Sequence, residues 1–140
     1  MDHIFDLTIP SNRTEAAPLE LDVDIGEGVV HFVTVQFPRG CAGLAHVRVR
    51  QALTPRWPSN EGADYNWDNY VHEIREHFLI KKGDAPLTLV GWNEDDTFPH
   101  TLTFRFSILP QEIMEPWKAQ MGILDTLLKL LGVRPKGSKR

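Results

Sequence analysis

The sequence predicts an all-β fold: an antiparallel, jelly-roll-like β-sandwich of seven or eight strands, followed by a C-terminal amphipathic α-helix. Three observations predict it. First, apolar residues recur with a period of two in several stretches, most clearly Leu19, Leu21, Val23 and Ile25 against Glu20, Asp22 and Asp24. That period places one set on a core face and the other towards water. Second, clusters of Gly, Pro, Asn, Asp and Ser separate these stretches at the short intervals of a sandwich or barrel. Third, the pattern changes after Pro110 to 3-4 spacing, the mark of a helix.

Taken in order, Ile4–Ile9 is a short strand stopped by Pro10, and 11–18 is a polar loop. The alternating stretch Leu19–Ile25 follows, then the turn Gly26-Glu-Gly28. Val29–Phe37 is β-branched and aromatic with apolar residues on both parities, which suits a strand covered on both faces. After the turn 38–43, Ala45, Val47, Val49 and Leu53 share one face of a strand, and His46, Arg48 and Arg50 share the other. Residues 54–69 hold two prolines, a glycine and many Asn, Asp and Ser residues, so they read as a long irregular connection. Tyr70–Ile80 satisfies both a helical i, i+4 spacing and a strand parity. Turn-like flanks and the surrounding β pattern favour the strand.

Leu87–Leu109 is the stretch on which the rest is organised. Leu102, Phe104, Phe106 and Ile108 alternate with Thr103, Arg105 and Ser107, and a polar connection 94–100 precedes them. Asn93, Asp95, Asp96 and Pro99 are turn formers, so the stretch reads as a β-hairpin with a long acidic loop. Beyond it, Met114, Trp117, Met121, Leu124, Leu128 and Leu131 form one helical stripe, widened by Ile123, Leu127 and Leu130. Pro116 suits a first turn, and Gly132 before Pro135 suits a C-cap, so a helix of about four turns is expected from near Pro116 to Leu131. The organisation is thus a sandwich domain over 1–110, a helix over 111–133 and a basic tail over 134–140.

At 140 residues, 41% of them hydrophobic and 24% charged, the chain has the length and composition of one soluble globular domain. No apolar run reaches the roughly 20 residues of a membrane span. The acidic start lacks the basic region of a signal peptide, so no export is expected. The net charge of −4 hides an asymmetry: Arg134, Lys136, Lys139 and Arg140 set aside, the remainder carries −8. An acidic body does not suit nucleic acid; the tail could touch nucleic acid or an acidic partner, and a solubilising frayed end is the favoured reading. Cys41 stands alone, which excludes an internal disulfide and suits a small buried side chain.

Few constellations point to chemistry. His72 and His77 flank two glutamates, but at i and i+5 they match no zinc-protease motif and face opposite sides of a strand. Asn93-Glu-Asp-Asp96 has oxygen ligands suited to a hard cation, without the glycine and terminal glutamate of an EF-hand loop. Asp22, Asp24 and Glu27 form a second acidic group of the same kind. There is no Walker loop, no GxGxxG and no GxSxG, and nothing singles out a glycosidase-type pair of carboxylates. No enzyme activity, cofactor or metal is therefore expected. Trp57, Tyr65 and Trp67 in the long connection are the candidate ligand or partner loop, with aromatic faces suited to sugar rings. The competing reading is that they pin the loop to the sandwich. The stripe is too apolar to leave exposed. It packs on its own sandwich or against a partner, and the partner surface is favoured because the strands already supply a core.

The series Phe37-Pro-Arg-Gly-Cys-Ala-Gly-Leu44, Trp57-Pro58, Gly91-Trp-Asn-Glu-Asp-Asp-Thr-Phe-Pro-His100 and Ile108-Leu-Pro110 resembles small proteins encoded among the structural genes of tailed bacteriophages and prophages. The resemblance spans most of residues 4–117 and consists of turn chemistry. It implies a β-sandwich virion component, such as a capsid decoration or accessory head protein, assembled in the host cytoplasm. It carries no catalytic residues. Self-association, a capsid protein or another virion protein would then occupy Met114, Trp117, Met121, Leu124, Leu128 and Leu131, with Trp117 as a candidate anchor. The other expectation is a carbohydrate or small-ligand binding module using residues 54–69.

Overall fold

The computed structural model describes residues 1–132, so the expected basic tail 134–140 lies outside the described residues. In chain order the elements are β1 (Asp2–Ile9), β2 (Leu19–Val23), β3 (Gly28–Phe37), β4 (Ala45–Gln51), β5 (Thr54–Trp57), β6 (Tyr65–Asn66), β7 (Tyr70–Ile80), β8 (Leu87–Asn93), β9 (His100–Leu109), α1 (Gln111–Met114) and α2 (Pro116–Leu130). One antiparallel sheet runs β1-β9-β3-β7, and the other runs β2-β8-β4-β5 with β6 also on β4. The fold is an all-β sandwich with a C-terminal helix, as the alternation predicts.

The pairing is nested. The first strand pairs with the last, β2 with β8, β3 with β7, and β4 with β5 and β6. A long hairpin of this kind, rolled up, is the winding of a jelly roll. The core lies between the sheets, with Phe37, Phe104, Phe106, Leu89 and Leu102 among its fully buried side chains. At Gly91 the sheets come so close that a Cβ would stand 2.6 Å from Ile9 Cδ1, so any side chain there displaces the end of Ile9.

Several expectations are corrected. The stretch Leu87–Leu109 is not a hairpin, because β8 and β9 lie in different sheets. Its connection is a corner: Asn93 Nδ2 donates to the Phe98 carbonyl at 2.9 Å, and the backbone N–H groups of Thr97 and Phe98 donate to Asp95. A polar, Pro-containing connection is compatible with a tight reversal or a sheet-to-sheet corner, and local chemistry does not separate them. Residues 54–69 are not wholly irregular, since β5 and β6 both add to β4. Leu53 does not share the core face of β4. The strand ends at Gln51, Ala52 turns through φ +51°, and Leu53 is 94% exposed. The mixed parity of β3 comes from a register shift between Val30 and Phe32, which leaves both Val29 and Val30 buried. Tyr70–Ile80 is a strand, and Cys41 is buried.

Candidate functional site: an unpartnered helix

Past β9, the chain makes one short helical turn, α1, and then breaks. Pro116 has no N–H to extend that helix and disfavours helical backbone at the residue before it. Glu115 accordingly sits at φ −131°, ψ 57°, closing α1 and opening α2. Its side chain is buried at the joint. The carboxylate accepts hydrogen bonds from Gln111 Nε2 at 3.0 Å and lies 3.3 Å from His77 Nε2 on β7. Lys118 Nζ lies 3.2 Å from its second oxygen. The Gln111 hydrogen bond, with those from His77 and Lys118, holds the Glu115 carboxyl below the usual carboxylate range, against the opposing effect of burial.

Beyond the joint, α2 runs for 15 residues and none of them is buried. Trp117, Met121, Leu124 and Leu131, all read from the sequence as one stripe, are exposed, while Leu128 and Met114 are half-buried. Ile123, Leu127 and Leu130 are exposed beside them. Apart from Gln120, the polar side chains keep to the other side of the helix, where Lys129 Nζ pairs with Asp125 at 3.0 Å and Thr126 donates back to the Gly122 carbonyl. The helix ends as the sequence indicates: Gly132 turns to φ +73°, and its N–H donates to the Lys129 carbonyl. From Trp117 to Leu131 the expected stripe thus lies along one side of α2 with Gln120 beside it, Met114 is separated from it on α1 by the break at Glu115, and no residue of α2 is buried.

The aromatic loop is dispersed. Trp57 is 3% exposed, with its ring edge-on to Phe78, and its Nε1 donates to Glu76 at 3.2 Å. Tyr65 is half-buried against His72. Trp67 is 58% exposed and pairs edge-on with Tyr70. One ring is core, one is wall and one is surface, so the three do not meet around a common concavity. A groove of about 510 Å³ opens elsewhere, at the end of the sandwich between the turns 24–27 and 81–86, and none of these rings lines it.

The remaining candidates have structural partners. His72 and His77 point to opposite faces of β7. His72 is enclosed by Phe37, Tyr65 and Tyr70, and burial lowers its pKa. Asp95 is committed to the corner through Thr97, Phe98 and His100, whose hydrogen bonds hold its carboxyl below the usual range. Asp22 accepts from Thr88 and Asp24 from the Gly26 N–H. The Glu115 joint was missed in the sequence. Its available signal is the Glu-Pro step at the head of an apolar helix, which fixes a break but not the partner on β7.

No family model matches the chain, and no curated protein does. Among solved structures, the chain is similar to one in the Cyanophage Pam1 capsid asymmetric unit, with a TM-score of 0.45 and 10% identity over 76% of this chain and 81% of that one. It is also similar to the crystal structure of PirA, with a TM-score of 0.33 and 14% identity over 76% of this chain and 95% of that one. At such identities and scores neither likeness bears on what this chain does.

Proposed function

We propose that the chain is a non-enzymatic structural protein of a phage particle, such as a capsid decoration or accessory head protein, and that it assembles through α2. The observation that carries this reading is the apolar face of a helix on which no residue is buried. Full burial of one large apolar side chain is worth roughly 1.5–3 kcal/mol, so a face of this size is costly to leave in water. The sandwich has a complete core without it. The resemblance of the turn motifs to virion proteins supplies the particle.

The test is twofold. Gradient-purified particles from the host are analysed by mass spectrometry, and the expected result is this chain at a copy number commensurate with the shell. Its absence from particles, with the chain present in the lysate, refutes the virion role. In parallel, Leu124→Lys is expected to keep the fold and lose incorporation. A variant that folds and is incorporated at the wild-type level removes α2 from the assembly.

A further inference from the structure

We infer that α2 is built to pack against two neighbouring helices at once, each from another copy of this chain, in a bundle of three or more. The inference rests on the structural reading above and specifies its partner.

At about 100° per residue, the large apolar side chains from Trp117 to Leu131, all exposed except the half-buried Leu128, fall into two adjacent rows. Trp117, Met121, Leu124, Leu128 and Leu131 form the first. Ile123, Leu127 and Leu130 form the second, displaced around the helix by about a third of a turn. Together the rows span about half of the circumference, and Lys118, Asp125 and Lys129 lie outside that arc. A two-stranded coiled coil uses one seam, at positions a and d. Such a pair would cover the first row and leave the second in water. In a bundle of three or more, each helix faces two neighbours and both rows are covered. The first row also lacks the β-branched a-position residues that favour two strands: its a and d positions are Trp, Met and Leu.

One feature commits the occupant to copies of this chain, and the size of the face admits it. The exposed apolar side chains from Trp117 to Leu131 are between 49% and 79% accessible, a face on the scale of the roughly 800 Å² that each partner buries in a standard interface. Gln120 is the one polar side chain within the apolar arc. Its amide both donates and accepts, so the same residue on a symmetry-related copy is its complement, which a wholly apolar partner is not. Charge does not oppose the arrangement, because Asp125 and Lys129 neutralise each other within one helix, away from both rows.

The experiment is the solution mass of the full chain by sedimentation equilibrium over a wide concentration range, beside the double variant Ile123→Gln, Leu127→Gln. The wild type is expected at three or more times the 16.0 kDa protomer. The variant, with its first row intact, is expected to fall to two copies or one at unchanged folding by circular dichroism. A wild-type monomer or dimer overturns the bundle, as does a higher oligomer that the variant leaves intact. These outcomes are independent of the particle analysis: a chain found in particles but monomeric in solution keeps the structural reading and removes the bundle, and the reverse result does the opposite.

Discussion

The same substitution at two leucines separates a helix that belongs to the core from one that is free of it. Leu102 on β9 is 0% exposed and lies within the core cluster, whereas Leu124 on α2 is 56% exposed. Leu102→Ala removes buried methyl groups and leaves a cavity that close-packed neighbours fill only in part, at a cost of about 2–5 kcal/mol. In a domain of this size, about 1 kcal/mol shifts Tm by roughly 3–5 °C, so the loss is on the order of 6–25 °C. Leu124→Ala removes atoms that water already reaches, and surface substitutions stay within about 0.5 kcal/mol, or roughly 2 °C. The assay is thermal unfolding by circular dichroism at two protein concentrations a hundredfold apart. Association stabilises the folded chain by mass action, so the wild-type Tm is expected to rise with concentration and that of Leu124→Ala to rise less. At the lower concentration the two should coincide. If Leu124→Ala instead loses as much as Leu102→Ala at both concentrations, α2 is part of the core of its own subunit and the reasoning fails.

Two further predictions follow from the packing and the titrating groups. Gly91→Ala is expected to cost about 1–3 kcal/mol in urea unfolding, because the new methyl meets Ile9 Cδ1 at 2.6 Å and Leu7 Cδ2 at 3.0 Å. Ile9→Val deletes the nearer atom, so the double variant should be more stable than the two single losses add up to, and strict additivity would show that the sheets do not touch there. His72 has its folded pKa lowered from 6.5, first by burial, so the unfolded chain binds that proton more readily. Its contribution is therefore whole above about 6.5 and is lost as pH falls through the folded value. Asp95 and Glu115, also lowered, lose theirs further down, below the ordinary carboxylate range. Denaturation curves from pH 7 to pH 5 should show a decline that His72→Phe flattens, and an unchanged slope in that variant would exclude His72 as its source.

What the sequence made legible is local. The period of two in β4 and β9 identified strands because each has one face on the core, and it found β2 although Leu21 there is 39% exposed; the 3-4 spacing identified α2 because large apolar residues recur along one side from Trp117 to Leu131. The stop at Gly132 was legible from the glycine itself with Pro135 after it in the sequence. Pairing was not. The partner of β9 is β1, so Leu7 stands opposite Leu102 and Ile9 opposite His100, and nothing in either segment specifies the other beyond being strand-like. The 94–99 connection carries the residues of a turn whether the chain reverses within a sheet or crosses to the next. Trp57 was legible only as an alternative. The loop aromatics read either as a ligand or partner site or as rings that pin the loop to the sandwich, and the pairing of β5 with β4 carries Trp57 into the core against Phe78 and Phe106, as the second reading has it.

The nested winding bears on how the helix is presented. Because β9 pairs with β1 and with β3, the last strand is central in its sheet and its end is fixed from both sides. The Met1 amino group donates to the Ile108 carbonyl at 2.7 Å and the Ile108 N–H donates to the Met1 carbonyl, so the start of the chain clamps its final strand just before the helix leaves. Gly28 lies against the same end, with the position of its absent Cβ only 2.6 Å from the Leu109 carbonyl oxygen. The chain then has six residues, Pro110 to Glu115, in which to turn outward, and Glu115 ties that turn to His77 on the edge strand β7. A helix meant only to cover the sandwich would gain from a joint free to settle onto the surface beneath it. This joint is braced on two elements while the helix beyond it buries nothing, which is the arrangement expected of an arm held ready for other subunits.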